Sequence, residues 1–133
     1  MRATNIRVFM VDRISLVVDD DPSIRKYISM ILQQEHFRSI EAEDGVRGLQ
    51  IVRELGDGLD LIVSDVQMPK GDGLIFARAV RKSFPAVPII LVSGRGEPAE
   101  RFDGFVEKPF QASELRQAVS ASLHERQIAV THR

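Results

Sequence analysis

The sequence predicts an α/β fold in which helices cover both faces of a parallel β-sheet. Short runs of aliphatic and β-branched residues alternate with longer helical patterns along the chain. Two of these runs, Leu59–Ser64 and Val87–Val92, are mostly aliphatic, which is typical of strands buried on both faces. Crossover connections between parallel strands are right-handed, so few strand arrangements remain possible. We therefore expect a doubly wound sheet in one domain.

The first half of the chain contains two strand–helix pairs. Asp21-Pro22 favours a helix start, because Asp caps helices and Pro suits the first helical position. A second helix follows Asp44 and ends before Gly56. The predicted strands are 14–18 and 37–42, and the predicted inward positions are Ile24, Tyr27, Ile28, Ile31 and Leu32 in the first helix and Val46, Leu49, Val52 and Leu55 in the second.

The second half of the chain adds three strands and two helices. Leu59–Ser64 and Val87–Val92 are the central strands, and a helix at Leu74–Ser83 connects them. Phe105-Val106 is a short fifth strand. For the last helix the sequence predicts Ser113 as the cap, Glu114 in the first turn, an inward face of Leu115, Ala118, Val119 and Leu123, and an end near Glu125.

Composition restricts the class of protein. The 133 residues carry a formal net charge of −1, which gives no attraction to nucleic acid or an anionic membrane surface. The absence of cysteine excludes disulfides and thiolate chemistry, and no stretch approaches the roughly 20 apolar residues of a membrane span. The N-terminus lacks a signal-peptide pattern, so we expect a cytoplasmic protein. We expect a domain at 14–126, an N-terminal extension at 1–13, in which Ile6–Val11 is an added strand, an ordered arm or a frayed end, and a tail at 127–133.

Chemically distinctive residues follow four of the predicted strands. The acidic triplet Asp19–Asp21 follows the first strand, Asp65 the third, Ser93 the fourth and Lys108 the fifth. Because the carboxyl ends of parallel strands share one edge of a sheet, we expect these side chains to meet there. Carboxylates at two strand ends suit Mg²⁺, while a lysine and a hydroxyl suit a phosphoryl group. A carboxylate in such a site can act as a nucleophile and form an aspartyl phosphate.

Four motifs in this order resemble the receiver domain of two-component response regulators. They are LVVDDD at 16–21, SDVQMPKGDG at 64–73, LVSG at 91–94 and VEKPF at 106–110. The resemblance covers nearly the whole chain, from about Ser15 to Leu123. It implies a flavodoxin-like receiver fold with five strands in the order 2-1-3-4-5. It also implies that Asp65 accepts a phosphoryl group, with Mg²⁺, from a histidine kinase or a histidine phosphotransfer protein.

The same resemblance assigns roles to the residues of the four motifs. Asp21 matches no metal position, so we interpret it as the cap of the first helix. Gln67 and Arg95 each lie two residues after a key position, and we expect them to flank the phosphoryl group, with open space at Gly94. The implied roles are Asp65 as phosphoacceptor, Asp20, Asp19, Asp65 and the backbone carbonyl of Gln67 as metal ligands, Lys108 as the phosphoryl-binding lysine, Ser93 as the switch hydroxyl and Phe105 as the switch aromatic.

One interval departs from the family pattern. Only fourteen residues, GRGEPAERFDGFVE, separate Ser93 from Lys108, and they also supply the fifth strand. At most Pro98–Phe102 is left for a helix, and a single turn lies at the limit of helix nucleation. We therefore expect the fourth helix to be shortened or missing and the loop to be the most mobile part of the domain. Because that helix belongs to the family's dimerisation face, the oligomeric state stays open.

Two other functions compete with the receiver interpretation. One is a small Mg²⁺-dependent phosphohydrolase with an aspartyl nucleophile, although 133 residues leave no room for a substrate-capping insertion. The other is a degenerate receiver that binds partners without being phosphorylated. The receiver interpretation itself predicts no enzymatic turnover beyond chemistry on Asp65, and an unknown downstream protein as partner.

Overall fold

The fold is a parallel sheet with helices on both faces. The computed structural model describes residues 13–69 and 72–131, with side chains as far as His124. Within these residues, five parallel strands lie in the order β2-β1-β3-β4-β5, which confirms the predicted fold class. The strands are β1 (Arg13–Val18), β2 (Phe37–Ala42), β3 (Leu61–Asp65), β4 (Ile89–Ser93) and β5 (Gly104–Glu107), and the helices are α1 (Pro22–Gln34), α2 (Gly45–Leu55), α3 (Gly73–Ser83) and α4 (Ala112–Thr131).

The sheet separates two hydrophobic cores. Every residue of β3 and β4 is buried, as their aliphatic sequences predict. On one face, Ile62 and Leu91 pack in a core with Phe76 of α3; on the other, Val63 packs in a core with Leu32 of α1. None of the described helices combines the length and the apolar content that a membrane crossing requires.

Aspartates cap the first three helices. The carboxylate of Asp21 accepts hydrogen bonds from the backbone N–H groups of Ser23 and Ile24, which confirms its predicted capping role. Asp44 and Asp72 cap α2 and α3 in the same way. Each cap follows the carboxyl end of a strand, so the helices begin at the edge of the sheet where the distinctive residues were expected.

Some details of the predicted elements are wrong. Val46 is 63% exposed rather than inward, because it lies in the first turn of α2 beside a shallow groove against α3. Ser113 does not cap the last helix: that helix begins at Ala112, and the carboxylate of Glu114 accepts from the backbone N–H of Gln111. The helix extends to Thr131 rather than ending near Glu125, since no Gly or Pro stops it. The alternatives for Ile6–Val11 lie outside the described residues.

No helix forms between β4 and β5, where residues 94–103 are all described. The predicted loss of the fourth helix is therefore confirmed. The end of this loop is attached to α3, because the Arg81 guanidinium pairs with the Asp103 carboxylate and lies 5.5 Å from the centre of the Phe102 ring. The Asp103 carboxylate also accepts from the backbone N–H of Ile89 over 2.8 Å. In place of a fourth helix, the loop contacts α3 through the side chains of Phe102 and Asp103.

Candidate functional site

One lysine and two buried carboxylates form the centre of the site. Asp19 directly follows β1 and is fully buried, and Asp65 ends β3 with 2% exposure. Lys108 follows β5, and its ammonium nitrogen lies 3.2 Å from Oδ2 of Asp19 and 3.3 Å from Oδ1 of Asp65. The convergence expected from the strand ends is therefore present. It brings one positive charge between two negative charges at the edge of the sheet.

Arg25 fixes the backbone that carries Asp19, a role that was not predicted from the sequence. Its Nη1 donates to the carbonyl oxygen of Asp19 over 2.8 Å, and its Nε lies 3.0 Å from Oε1 of Glu41 on β2. The Asp19 carboxylate also accepts from the backbone N–H of Asp21 over 2.9 Å. An arginine in the first turn of the helix after an acidic triplet is a signal that favours such a contact. These bonds join β1, α1 and β2 beside the site.

The electrostatics of the site follow from burial and repulsion. Burial and the neighbouring charge of Asp19 raise the pKa of Asp65 to about 6, although Lys108 opposes the change. Burial also raises the pKa of Asp19. For Lys108, burial lowers the pKa, but the carboxylates of Asp19 and Asp65 outweigh it and raise the pKa above its ordinary value. The lysine therefore stays charged, and the charge of Asp19 acts against ionisation of Asp65.

The acidic residues have the composition of a magnesium site. Carboxylate oxygens of Asp19, Asp20 and Asp65 lie within 4.8 Å of one another, and Asp20 is exposed. Hard oxygen ligands with one side open to water suit Mg²⁺, which keeps several waters when it binds proteins. A divalent cation would offset the burial and the charge of Asp19, which together raise the pKa of Asp65. The residues present therefore fit the metal, while the Gln67 backbone carbonyl stays a predicted ligand.

Gln67 and Ser93 are in direct contact across the ends of β3 and β4. The Gln67 amide nitrogen donates to Ser93 Oγ over 3.0 Å, and its amide oxygen accepts from the Gly94 N–H over 3.0 Å. Gln67 and Arg95 line an open cleft together with Asp20. A Cβ at Gly94 would have its nearest contact 4.0 Å away, at Lys108, so the space expected beside Gly94 is present.

Phe105 lies within β5 and not at the end of a strand. It is half-buried on β5 and pairs with Leu91 in the sheet register, so it belongs to the sheet itself rather than to the strand ends. Its predicted switch role depends on a second conformation of the side chain. That role stays a prediction.

Comparison with known proteins identifies the family. The response regulator receiver domain matches residues 15–120, which is most of the chain. The chain belongs to this family. As a receiver, it is 37% identical over 117 residues to the sensor kinase CckA of Brucella abortus and 37% identical over 115 residues to the transcriptional regulatory protein ResD of Bacillus subtilis.

The alignments cover most of this chain but a smaller part of each relative. They cover 83% of the receiver and 12% of CckA, and 81% of the receiver and 47% of ResD. The chain thus spans about half or less of the length of these relatives. Among solved structures, the receiver domain of the hybrid histidine kinase CckA has a TM-score of 0.72 at 28% identity, with 83% and 98% of the two chains covered. The chemotaxis protein CheY4 of Vibrio cholerae has a TM-score of 0.74 at 28% identity, with 84% and 99% covered.

Proposed function

We propose that the chain is a phosphoacceptor receiver in which Asp65 takes a phosphoryl group from a histidine kinase or a histidine phosphotransfer protein. The observation that carries the proposal is the placement of Lys108 within 3.3 Å of the Asp65 carboxylate, at a strand edge that also holds Asp19 and Asp20. A charged lysine beside a carboxylate nucleophile is suited to neutralise the oxygens of an incoming phosphoryl group. One relative of the chain is the sensor kinase CckA, which supports a kinase as the phosphoryl donor.

The proposed chemistry is one phosphoryl transfer. An oxygen of the Asp65 carboxylate attacks the phosphorus of a phosphohistidine, the P–N bond breaks, and the imidazole leaves with the electron pair. Lys108 pairs with a phosphoryl oxygen, and the Ser93 hydroxyl donates to another. Asp20, Asp19 and Asp65 would hold Mg²⁺, whose positive charge would offset the charge of the phosphoryl oxygens. The product is an aspartyl phosphate that changes the affinity for a downstream protein.

The proposed receiver differs from a phosphohydrolase in the fate of the aspartyl phosphate. A phosphohydrolase with an aspartyl nucleophile needs a second positioned acid or base to return the enzyme rapidly to its free state. Beyond Asp65 the motif continues with Val66 and Gln67, neither of which is an acid or a base at neutral pH. We therefore expect the aspartyl phosphate to persist, with no sustained turnover of p-nitrophenyl phosphate.

Intact-mass measurement tests the proposal. The protein is exposed to acetyl phosphate with Mg²⁺, and we expect the gain of one phosphoryl group. Asp65→Asn should abolish the gain, and removal of Mg²⁺ with EDTA should reduce it strongly. Asp57→Asn is the matched control, because Asp57 is an exposed aspartate in the turn after α2, and it should gain the group like the wild type. An undiminished gain in Asp65→Asn would refute the acceptor assignment.

A further inference from the structure

The Gln67 amide joins two consecutive residues at the end of β4. Its oxygen accepts from the backbone N–H of Gly94, and its nitrogen donates to the hydroxyl oxygen of Ser93. A backbone N–H is only a donor, so the amide oxygen must face Gly94 and the amide nitrogen must face Ser93. Both polar atoms of the Gln67 side chain are therefore hydrogen-bonded to the end of β4.

The same hydroxyl closes the turn that starts the β4–β5 loop. Ser93 is fully buried, and its Oγ also accepts from the backbone N–H of Arg95 over 3.2 Å. Gln67 and Arg95 therefore both donate to one buried oxygen. These bonds and the bond at Gly94 connect residues 93–95, which we term the β4 turn, to Gln67.

A phosphoryl group on Asp65 would compete for the same donor. Asp65 pairs with Val92 in the sheet register, so Gly94 follows that partner by two residues at the edge where the group would form. Phosphoryl oxygens carry charge and bind N–H donors more strongly than a neutral amide oxygen does. The Gly94 N–H, however, already has the Gln67 oxygen as its acceptor.

We propose that Gln67 is a latch on the β4 turn, and that phosphorylation of Asp65 opens it. The Gln67 oxygen occupies the Gly94 N–H in the unphosphorylated protein, and a phosphoryl oxygen takes that donor when the aspartyl phosphate forms. This inference rests on the proposed phosphorylation of Asp65. The Gln67 amide nitrogen also leaves Ser93 Oγ when the latch opens. Only hydrogen bonds are exchanged, and the Gly94 N–H keeps an acceptor throughout.

The latch gives the shortened loop a direction of movement. Its far end is attached to α3, where Arg81 pairs with Asp103, and Asp103 also accepts from the Ile89 N–H. Its near end is held by Gln67. Opening the latch therefore transfers the near end from Gln67 to the phosphoryl group while the far end stays attached, so the exposed residues between them change position relative to α3. Because this receiver lacks the fourth helix, the loop is a surface on which a partner can distinguish the phosphorylated from the unphosphorylated protein.

NMR on isotope-labelled protein tests the latch before and after phosphorylation. Gln67→Met keeps the length of the side chain and removes its amide, while Gln33→Met makes the same change on the exposed face of α1. Without phosphodonor, we expect hydrogen exchange at the Gly94 N–H to be about tenfold faster in Gln67→Met than in the wild type, because the hydrogen bond that this N–H donates is lost. Gln33→Met should exchange like the wild type. With acetyl phosphate and Mg²⁺, Gln67→Met should also gain its phosphoryl group several-fold faster.

The side-chain amide of Gln67 in the wild type provides a second readout. Its signal would not change on phosphorylation if the Gln67 contacts were only structural. On phosphorylation, the Gln67 side-chain NH₂ resonances should shift towards those of a solvated glutamine, while the Gly94 N–H stays protected at a new chemical shift. Equal Gly94 exchange in Gln67→Met and the wild type would overturn the latch. If mass measurement shows that the protein is phosphorylated but the Gln67 resonances do not move, the latch is overturned and the proposed phosphorylation stands. A wild type that gains no phosphoryl group would overturn the proposed function and the displacement together.

Discussion

Gly73 lies so close to Asp65 that a Cβ atom at Gly73 would be 1.9 Å from the Asp65 carbonyl oxygen. Gly73 is the first residue of α3, and its backbone N–H donates to the carbonyl oxygen of Val66 over 3.0 Å. The start of α3 is thus pressed against the end of β3. The position of Asp65 depends on a residue without a side chain.

Gly73→Ala should therefore destabilise the protein and disturb the site. The methyl group would overlap backbone atoms, which cannot rotate away, so we expect a loss of about 1–3 kcal/mol or more in the free energy of unfolding. Chemical denaturation measures the loss. Gly58→Ala is the matched control, because a Cβ there has no atom within 4 Å, and its effect should stay within about 0.5 kcal/mol. Equal stabilities of the two variants would contradict the close approach.

The stability of the metal-free protein should fall as pH rises from about 4 to about 6. Burial and the charge of Asp19 raise the pKa of Asp65 from 3.8 to about 6. The folded state therefore binds this proton more tightly than the unfolded state does, and the stabilisation is present below pH 4 and lost through pH 6. Asp65→Asn removes the titrating group, so it should raise the free energy of unfolding at pH 7 by roughly 1–3 kcal/mol.

Denaturation curves in EDTA at several pH values measure this effect. Asp65→Asn should also flatten the dependence of stability on pH in that range, with a remainder from Asp19, whose pKa burial raises in the same direction. Asp57→Asn, in the exposed turn, should retain the wild-type slope. A variant at Asp65 that is less stable than the wild type at pH 7 would contradict the prediction.

Substitutions at Asp20 and Asp21 should affect metal binding and helix capping separately. Asp20 contributes an oxygen to the cluster that could hold a metal, whereas Asp21 accepts from Ser23 and Ile24 at the start of α1. By titration calorimetry, Asp20→Ala should weaken Mg²⁺ binding about tenfold or more. Asp21→Ala should cost about 1 kcal/mol of stability and leave Mg²⁺ affinity nearly unchanged. Equal losses of affinity would mean that the ligand was assigned to the wrong aspartate.

The centre of the site was predictable because strand ends determine it. Asp19 and Lys108 follow strands and Asp65 ends one, and parallel topology brings the carboxyl ends of strands to one edge whatever the side-chain conformations are. The fold was predictable for the same reason, since aliphatic runs mark β3 and β4. Periodicity and strand order carry this information directly.

Contacts that depend on side-chain conformation were not predictable from the sequence. The sequence places Gln67 two residues after Asp65, but not its amide on Ser93 and Gly94, because several rotamers are open to a long side chain. The cap of α4 is a similar case: Ser113 and Gln111 are both near the helix start, and the Glu114 side chain decides between them.

The attachment of the β4–β5 loop to α3 should depend on Arg81 and Asp103. Their pair is partly buried, and the same carboxylate accepts from the Ile89 N–H, so Asp103→Ala leaves both donors without that acceptor. We expect a loss of about 1–3 kcal/mol in the free energy of unfolding. Glu100→Ala removes the exposed pair with Arg78 on the same loop and should cost less than about 1 kcal/mol. Hydrogen exchange should show the Asp103 N–H protected and residues 95–101 exchanging fast; a larger loss in Glu100→Ala would contradict this attachment.

Gln67 and Arg95 should prolong the life of the aspartyl phosphate. Both residues line the cleft that also contains Asp20, and we expect their side chains to hinder a water that approaches the phosphorus in line. In the proposed phosphorylated state we expect the Gln67 side chain still to border this cleft and the Arg95 guanidinium to pair with the phosphoryl oxygens. Replacing both residues by Ala should shorten the half-life of the phosphorylated protein several-fold, measured by intact mass after removal of the phosphodonor. The matched control is the pair Gln33→Ala and Arg53→Ala, on the exposed faces of α1 and α2, which should leave the half-life unchanged. An unchanged or longer half-life in the cleft variant would show that these side chains do not restrict the attacking water.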